Sequence, residues 1–519
     1  MLKFADELEK EIKSQKTLTD NGGVAYQSSG KELIDFNFSI TSLRYMTTEE
    51  VQKRFARVYF EDKKLAVKYI FYIGDIRQGL GERKIFRDCI AWLMANENHL
   101  MVVELLKEIP EYNRWDSLIR LIQNKYFSEE ILLYIVRQIN NDYDNMQKGN
   151  PISLVGKWLP SENASSKATK RLARLIIKKL QVTPKQYRKM LSELRKYIDV
   201  VETKMSANEW EKIDFSKVPS KASMIYREAF LRHTPEEYEK FITDVKNGNK
   251  KINASVLTPP DIVHKYVDND FIMWSDSDEV NYVKEFDDTL EVLWSNLPNK
   301  VVKNSIVVRD GSASMTWGNG IRPLDVATAL AIYISEHTTE SFKNKFITFS
   351  KYAQLIDLEG LHTLHEKLKK IYTYDDCENT DIQNVMKLIL DTAVKNNLSQ
   401  EEIPENIIII SDMQFDPNHT YSWGSSNFGW DKTVFENVSD EYKTYGYKLP
   451  KIIFWNVDTE NRKTVPIQEN ELGLILISGY STNLVDMVMS GDIDPYKALV
   501  NVLNSERYAK IDNVFNKYS

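Results

Sequence analysis

The chain has 519 residues and a mass of 60.5 kDa, which is long enough for two or more domains. Its 42% hydrophobic and 28% charged residues are typical of a globular protein, and no stretch reaches the roughly 18 uncharged apolar residues that a membrane span needs. Two cysteines and an acidic, helix-like start argue against a disulfide-rich secreted protein, so we expect a cytoplasmic protein without membrane attachment.

The formal net charge of −7 hides one strongly basic segment. Residues 151–200 carry 12 Lys and Arg side chains against 3 Asp and Glu side chains. The acidic overall balance excludes a chain coated with cations, but a local basic patch is compatible with nucleic-acid binding.

Up to about residue 260, apolar residues recur at steps of three and four and predict helices almost throughout. Helix starts such as Thr183-Pro184 and Thr234-Pro235 combine a capping hydroxyl with a proline at the first helical position. The sequence has no repeat of fixed period. We therefore expect an irregular, HEAT-like helical array rather than ankyrin or tetratricopeptide repeats.

Three short stretches of this helical half combine cations, glycines and indoles. The first, Gly79-Leu80-Gly81-Glu82-Arg83-Lys84, predicts a turn into a helix, but it lacks the Gly-Lys-Ser/Thr ending of a phosphate-binding P-loop. The other two are Tyr112-Asn113-Arg114-Trp115-Asp116-Ser117-Leu118 and Lys157-Trp158-Leu159-Pro160-Ser161.

The basic segment predicts an amphipathic helix from about residue 166 to 180. Its cationic stripe consists of Lys167, Arg171, Arg174 and Lys178, with Lys170 beside it, and its apolar face consists of Leu172, Leu175, Ile176 and Leu180. With Lys157 and Trp158 nearby, such a stripe could hold an RNA backbone and stack a base, at roughly 1–3 kcal/mol per base. The alternative is a solvated helix face, with Trp158 in the core.

Residues 267–300 are acidic and mixed in pattern, and we expect a domain junction there, between a helical domain (1–266) and a second domain (301–519). Beyond the junction the pattern alternates between strands and helices. The predicted strands are 304–309, 345–349, 406–411, 451–457 and 473–478. The predicted helices lie near 323–338, 361–371, 381–396 and 433–445, with more after 482. This alternation predicts a doubly wound parallel sheet, which binds ligands at the carboxyl ends of its strands.

Oxygen ligands follow two of the predicted strands. Asp310-Gly311-Ser312-Ala313-Ser314 comes after one strand, Asp412 ends the run of isoleucines at 407–410, and Thr380 opens a helix between them. Carboxylates and hydroxyls are ligands for Mg²⁺ or Mn²⁺. We therefore predict a divalent-metal site made by Asp310, Ser312, Ser314, Thr380 and Asp412. The alternative is a helix cap with turn serines. Nearby Asp375, Asp376 and Glu378 are either outer-sphere charges or solvated loop acids.

The sequence favours a protein that is not an enzyme. A phosphotransferase of the haloacid-dehalogenase type needs a second acid two residues after its first, where this chain has Ser312. The seven histidines are scattered, and no Ser-His-Asp or Cys-His set is recognisable.

The Asp-x-Ser-x-Ser motif, the downstream threonine and the second aspartate resemble the metal-ion-dependent adhesion site of von Willebrand A domains. That resemblance implies that Ser312 and Ser314 coordinate the metal directly, that Thr380 and Asp412 bind it directly or through water, and that a ligand carboxylate fills an open position. Gly311 and Ala313 stand where valine and glycine are commoner in that family.

A helical array followed by an A-type domain resembles the Ro autoantigen (TROVE) family, as does Arg114-Trp115-Asp116. The short sequence motifs of the chain are more similar to those of an uncharacterised family of domain-of-unknown-function proteins. The chain resembles it in Asn21-Gly22, the Gly-x-Gly-Glu-Arg turn, Lys-Trp-Leu-Pro-Ser and Ser478-Gly479-Tyr480-Ser481. The Ro resemblance implies a ring of helical repeats that holds structured RNA on its outer surface and a single-stranded RNA end in its hole.

From these features we expect a non-enzymatic RNA-binding scaffold, with RNA on Lys157, Trp158, Lys167, Lys170, Arg171, Arg174 and Lys178. The alternative is a metal-dependent adaptor whose metal captures a carboxylate of a protein partner. A purely architectural subunit is a third possibility.

Overall fold

The computed structural model describes residues 16–18, 24–267, 282–349, 353–374, 382–414, 432–460, 474–489 and 494–518. Its internal contacts divide the chain into two compact units. A helical unit contains residues 51–256 and 503–519, and an α/β unit contains residues 1–50 and 257–502. None of the described helices is both long enough and apolar enough to cross a lipid bilayer.

The helical unit contains α-helices joined by short connections. They are α3 (Thr48–Glu61, which begins just before the unit), α4 (Lys63–Gly74), α5 (Arg83–Asn96), α6 (His99–Tyr112), α7 (Trp115–Leu121), α8 (Ser128–Gln147), α9 (Val155–Trp158), α10 (Lys167–Leu180), α11 (Pro184–Ile198), α12 (Val201–Ser206), α13 (Ser220–His233), α14 (Pro235–Lys246) and the C-terminal α23 (Ala509–Tyr518). Neighbouring helices pack in pairs, including α4 on α5, α6 on α7 and α13 on α14. This confirms the predicted helical half.

The helix starts follow local chemistry. Thr183 forms a complete capping box with Gln186, with Pro184 in the first turn, so this predicted start is confirmed. Thr234 also precedes a proline-led helix, but its side chain does not cap it. Its hydroxyl instead donates to the Phe230 carbonyl of the preceding helix (3.1 Å).

The α/β unit is built on a six-stranded sheet of described residues, with strand order β5-β4-β3-β6-β7-β8. Its strands are β3 (Ser305–Asp310), β4 (Lys345–Phe349), β5 (Ala353–Asp357), β6 (Asn406–Ser411), β7 (Lys451–Asn456) and β8 (Leu474–Ser478). Every pair is parallel except β4 with β5, which is antiparallel. The five predicted strands are therefore confirmed within one or two residues. The edge strand β5 was not predicted, and it makes the sheet mixed at that edge.

The remaining helices of the α/β unit flank the sheet or adjoin it in the chain. They are α1 (Glu32–Phe38), α2 (Ile40–Leu43), α15 (Pro259–Tyr266), α16 (Asp288–Ser295), α17 (Pro323–His337), α18 (Leu364–Ile371), α19 (Ile382–Lys395), α20 (Lys432–Thr444), α21 (Asn483–Met489) and α22 (Pro495–Leu503). A short hairpin of β1 (Lys16–Leu18) and β2 (Val24–Tyr26) precedes them. Helix α17 packs against the central strands β3, β4 and β6.

Residues near the start of the chain complete the β8 side of this unit. Helix α1 packs on β8. The Thr41 hydroxyl lies 3.1 Å from the Ser478 hydroxyl, and the Asn456 amide donates to the Phe38 carbonyl (2.9 Å). The Arg44 guanidinium stacks on the Tyr480 ring (3.8 Å to the centroid).

Candidate metal centre and basic surface

The candidate metal centre lies where the strand order reverses. The chain passes from β3 to β4 on one side and returns to β6 on the other, so the carboxyl ends of β3 and β6 border a topological switch point. Parallel pairing places Arg309 opposite Ile410. The next residues, Asp310 and Ser411, are therefore neighbours at this edge, followed by Asp412.

Asp310 is fully buried and held by two hydrogen bonds. The Ser312 backbone N–H donates to its Oδ1 (2.9 Å), and the Ser411 hydroxyl donates to its Oδ2 (2.5 Å). Asp412 is 2% exposed, and its Oδ1 accepts the Gln414 N–H (3.2 Å). Asp412 is thus held by its own loop, and Asp310 is held by its own loop together with Ser411 of β6.

The serine hydroxyls meet the spacing that a magnesium ion would require. Ser312 Oγ and Ser314 Oγ lie 3.1 Å apart. Two adjacent ligands in an octahedron with metal–oxygen distances of about 2.1 Å are separated by about 3.0 Å. The pair therefore fits neighbouring positions around one Mg²⁺ or Mn²⁺ ion.

The electrostatics of the centre also suit a cation. Burial, followed by the negative charge of Asp412, raises the pKa of Asp310 to about 7. Two buried carboxylates that repel each other are stabilised by a divalent cation between them. The donor set of Asp310, Asp412, Ser312 and Ser314 could accordingly hold such an ion.

Part of the predicted ligand set lies outside the described residues. Thr380 falls there, as do the neighbouring Asp375, Asp376 and Glu378. Within the described part of the chain, no group of three or more His, Cys, Asp or Glu side chains is placed to hold a metal. A metal here would depend on two carboxylates together with hydroxyls and water, and the prediction of a metal site stays a prediction.

Two contacts of the centre were not predicted from the sequence. Ser411 holds Asp310, and the Met315 sulfur lies 3.2 Å from the Asp412 N–H. The signal for Ser411 was present, since it directly precedes Asp412 on a strand predicted to pair beside β3. Nothing in the sequence pattern marks Met315.

The loop after the serines makes two close backbone contacts just after an exposed indole. A Cβ at Gly318 would collide with the Thr459 hydroxyl, and a Cβ at Gly320 would collide with the Tyr45 hydroxyl. Both glycines have positive φ angles, which side chains disfavour. Between the serines and these glycines, Trp317 is 64% exposed.

The predicted basic helix is α10, and its stripe is exposed as expected. Lys167, Arg171, Arg174 and Lys178 face solvent, whereas Leu172, Ala173, Ile176 and Ile177 are buried. Leu175 and Leu180, which we predicted on the apolar face, are only half-buried. In the described residues no carboxylate pairs with the stripe or with Lys170. Nearby Lys179 pairs with Glu129, and Arg188 pairs with Glu162 (2.7 Å).

Trp158 is neither in the core nor fully exposed. Its ring stacks against the Arg114 guanidinium (4.1 Å to the centroid), and Lys157 lies 5.7 Å from the same centroid. The segment around it is braced by Arg195, which donates to the Gly156 and Leu159 carbonyls (3.1 and 2.8 Å). One face of the indole is therefore already covered by a cation.

Comparison with known families separates the chain into two matched parts. Residues 19–108 and 133–305, together more than half of the chain, match the family model described as domain of unknown function DUF2828. The chain belongs to the DUF2828 family. In this DUF2828 protein a second model, described as domain of unknown function DUF7788, matches residues 304–514, from just before β3 onward.

The DUF2828 protein is also similar to a viral protein. It is 29% identical over 526 residues to "Uncharacterized protein L728" of Acanthamoeba polyphaga mimivirus, covering 94% of this chain and 87% of the viral one. The alignment therefore extends over both the helical unit and the α/β unit of this chain.

Proposed function

We propose that this protein is a non-enzymatic RNA-binding scaffold that resembles the Ro ribonucleoproteins. In this proposal the helical unit is a HEAT-like, TROVE-type array that holds RNA. The α/β unit is a von Willebrand A-like domain with a Mg²⁺ or Mn²⁺ ion at Asp310, Ser312, Ser314, Thr380 and Asp412. When bound, the ion supplies a positive charge and open coordination positions.

The observation that carries the RNA proposal is the unpaired cationic face of α10. Lys167, Arg171 and Arg174 are exposed without a carboxylate partner in the described residues, although other exposed cations in the unit have one. Exposed cations aligned on one helix face attract a phosphate backbone and release its counterions. Lys157, Lys170 and Lys178 extend the same surface.

The proposed A-type metal site is supported by the geometry at the switch point. Two buried carboxylates and two hydroxyls 3.1 Å apart converge at the ends of β3 and β6.

RNA binding is tested by reversing the stripe. We would compare the wild type with K167E/R171E/R174E by fluorescence anisotropy on single-stranded RNA at 50–200 mM salt. A matched control, K189E/K212E/K217E, has the same change in net charge but removes exposed cations that are paired with carboxylates. We expect the stripe variant to bind weakly, with a slope of log K against log salt that is less steep by about 2, because each phosphate contact on a single strand contributes about 0.7.

The control variant should retain most of the wild-type affinity and salt slope. Equal weakening of both variants would mean that only overall charge matters, and it would contradict a site on α10. RNA recovered with the protein from its own cells, sequenced before and after ribonuclease treatment, would identify the natural ligand.

A second candidate function is a metal-dependent adaptor that captures a carboxylate of a protein partner. The exposed Trp317, three residues after Ser314, favours it, because a large exposed indole beside a binding centre is typical of a protein-contact residue. Asp310→Ala should abolish partner capture in this case, whereas RNA binding through α10 should survive it.

A further inference from the structure

The three sequence stretches that stood out in the helical half come together in the fold. Helix α5 begins at Arg83, directly after the Gly79–Glu82 turn, and α7 begins directly after Arg114. Helix α9 ends at Trp158. Helix α7 packs against both α5 and α9, so the three stretches lie on neighbouring helices.

Arg114 is held in place but has an unused donor. Its guanidinium stacks on Trp158 and donates from Nη2 to Asp116 Oδ2 (2.8 Å). Its Nε is buried and has no acceptor in the part of the chain that the structure describes, and Asp116 Oδ1 of the same ion pair is buried without a donor. A buried guanidinium N–H without an acceptor is costly, and an anion placed against it would remove that cost.

The cations around Arg114 outnumber the carboxylates. Arg83 and Arg87 lie one helical turn apart on the same face of α5. Burial, together with the charges of Arg83 and Arg87, lowers the pKa of Arg114 against the opposing effect of Asp116. Burial and the charge of Arg120 lower the pKa of Arg87 in the same way.

Asp116 is the carboxylate that contacts this group. Its Oδ2 accepts a hydrogen bond from Arg114 Nη2 and lies 3.9 Å from Arg120 Nε. The neighbouring Asp88 is engaged by Lys84 (2.8 Å). Neither Arg83 nor Arg87 has an ion-pair partner among the described residues. If Lys84 and Asp88 are counted as a neutral pair, the four guanidinium groups face the Asp116 carboxylate with an excess of three positive charges among the described residues.

We propose that Arg83, Arg87, Arg114 and Arg120 form a binding site for a phosphomonoester. Guanidinium groups match phosphate oxygens with paired hydrogen bonds, and a phosphomonoester brings about two negative charges at neutral pH, enough to offset most of the excess. Trp158 is a positioning residue that holds the Arg114 guanidinium. The phosphate is carried either by a small phosphorylated molecule or by an RNA end, and the second carrier rests on the proposed RNA-binding function.

The site is tested first with inorganic phosphate, without RNA. Thermal unfolding of the full chain would be followed with increasing phosphate and, separately, with NaCl at the same ionic strength. We expect a saturable rise in Tm with phosphate alone. Arg87→Gln should abolish it, and Lys84→Gln, on the same helix but already paired with Asp88, should retain it. Arg83→Gln provides a second, exposed position at which folding is not at risk.

The carrier is tested with two RNAs. Labelled single-stranded RNA with a 5′-phosphate should bind at least about tenfold more tightly than the same RNA with a 5′-hydroxyl, and Arg87→Gln should remove this difference. We expect K167E/R171E/R174E to bind both RNAs more weakly but to keep the preference for the 5′-phosphate. That result would show that the phosphate site and the α10 stripe act independently.

The outcomes distinguish the two proposals. No phosphate response beyond that to NaCl, or a response retained in Arg87→Gln and Arg83→Gln, would overturn the phosphomonoester site. A phosphate response with equal binding of the two RNAs would overturn the RNA end and support a small-molecule carrier. A phosphate response with no RNA binding at all would support the site and contradict the proposed scaffold function.

Discussion

The Asp310 carboxylate, buried at the end of β3, has an unusual protonation equilibrium for an aspartate. Its pKa is raised to about 7 by burial and by Asp412, from an ordinary value of about 3.9. The folded metal-free protein therefore binds a proton more tightly than the unfolded chain does. Its contribution to stability is fully present below about pH 4 and is lost as the pH rises through about 7.

Asp310→Asn should remove this pH dependence. In EDTA we expect the variant to be more stable than the wild type at pH 8 by about 3–4 kcal/mol and to differ by less than about 1 kcal/mol at pH 4, because the buried charge is absent. Urea denaturation at both pH values measures this. Asp440→Asn, at a side chain that is 71% exposed, is the control and should show neither effect.

Magnesium should make the wild type more stable than Asp310→Asn at pH 8, the reverse of the order expected in EDTA. A ligand that binds only the native state stabilises it by an amount that grows with the logarithm of the ligand concentration above Kd. We therefore expect Mg²⁺ to raise the free energy of unfolding of the wild type at pH 8 and to leave Asp310→Asn unchanged. An equal magnesium response in both proteins would contradict the metal site.

Arg507 and Asp75 form a largely buried ion pair in the helical unit. Asp75 is fully buried and accepts from Arg507 Nε (2.7 Å) and Nη2 (3.0 Å). Arg507→Ala would leave this carboxylate without its cation, and we expect a loss of about 3 kcal/mol in the free energy of unfolding. Lys510→Ala, at an exposed position with the same charge change, should cost less than about 1 kcal/mol. Equal losses for the two variants would show that the pair adds no stability.

At the residue scale, the sequence predicted contacts that are local in the chain or follow from strand order. Asp310, Ser312, Ser314 and Asp412 were found because polar residues directly follow apolar strands. The Arg507–Asp75 pair joins positions 432 residues apart, and no pattern of spacing links them. The unpaired Arg114 Nε likewise depends on how three separate segments pack.

At the element scale, the sequence pattern predicted the buried strands well because β3 and β6 each contain an uninterrupted apolar run and are buried along their whole length. It missed β5, whose residues are mostly half-exposed and which pairs only with β4 at the sheet edge. Edge strands carry little hydrophobic signal, so Ala353–Asp357 reads as a loop. Helix ends are also hard to predict from sequence. The Thr234 hydroxyl donates to the Phe230 carbonyl of the preceding helix instead of capping the next one.

Helix α10 provides a test of packing at this scale. Ile176 is fully buried, whereas Leu175 is half-buried, although both were predicted on the apolar face. We expect Ile176→Ala to cost about 2–4 kcal/mol and Leu175→Ala less than about 1.5 kcal/mol, because only the first leaves a core cavity. Chemical denaturation of the two variants measures the difference. The reverse order would place the core face of α10 one residue away from where the structure has it.

At the scale of the whole molecule, each end of the chain belongs to a different structural unit from the residues that adjoin it in sequence. The first 50 residues are part of the α/β unit, and residues 503–519 are part of the helical unit. Helix α23 packs on α4 and α6 through side chains such as Ile511, which is fully buried. The change in pattern near residue 300 gave our predicted domain limits of 1–266 and 301–519, but amphipathic end helices carry no signal for which unit they join.

This arrangement predicts which elements should lose stability when residues at the chain ends are mutated. Ile511→Ala removes core volume from the helical unit and should cost about 2–5 kcal/mol, with faster amide hydrogen exchange in α4 and α6. Leu33→Ala, at a buried position of α1, should speed exchange in β8 of the α/β unit instead. Hydrogen exchange with mass spectrometry on the full chain resolves both segments. If Ile511→Ala loosened β7 and β8 while α4 and α6 stayed protected, α23 would have to belong to the α/β unit. In that case the α/β unit would include α23, in agreement with the family model that matches residues 304–514.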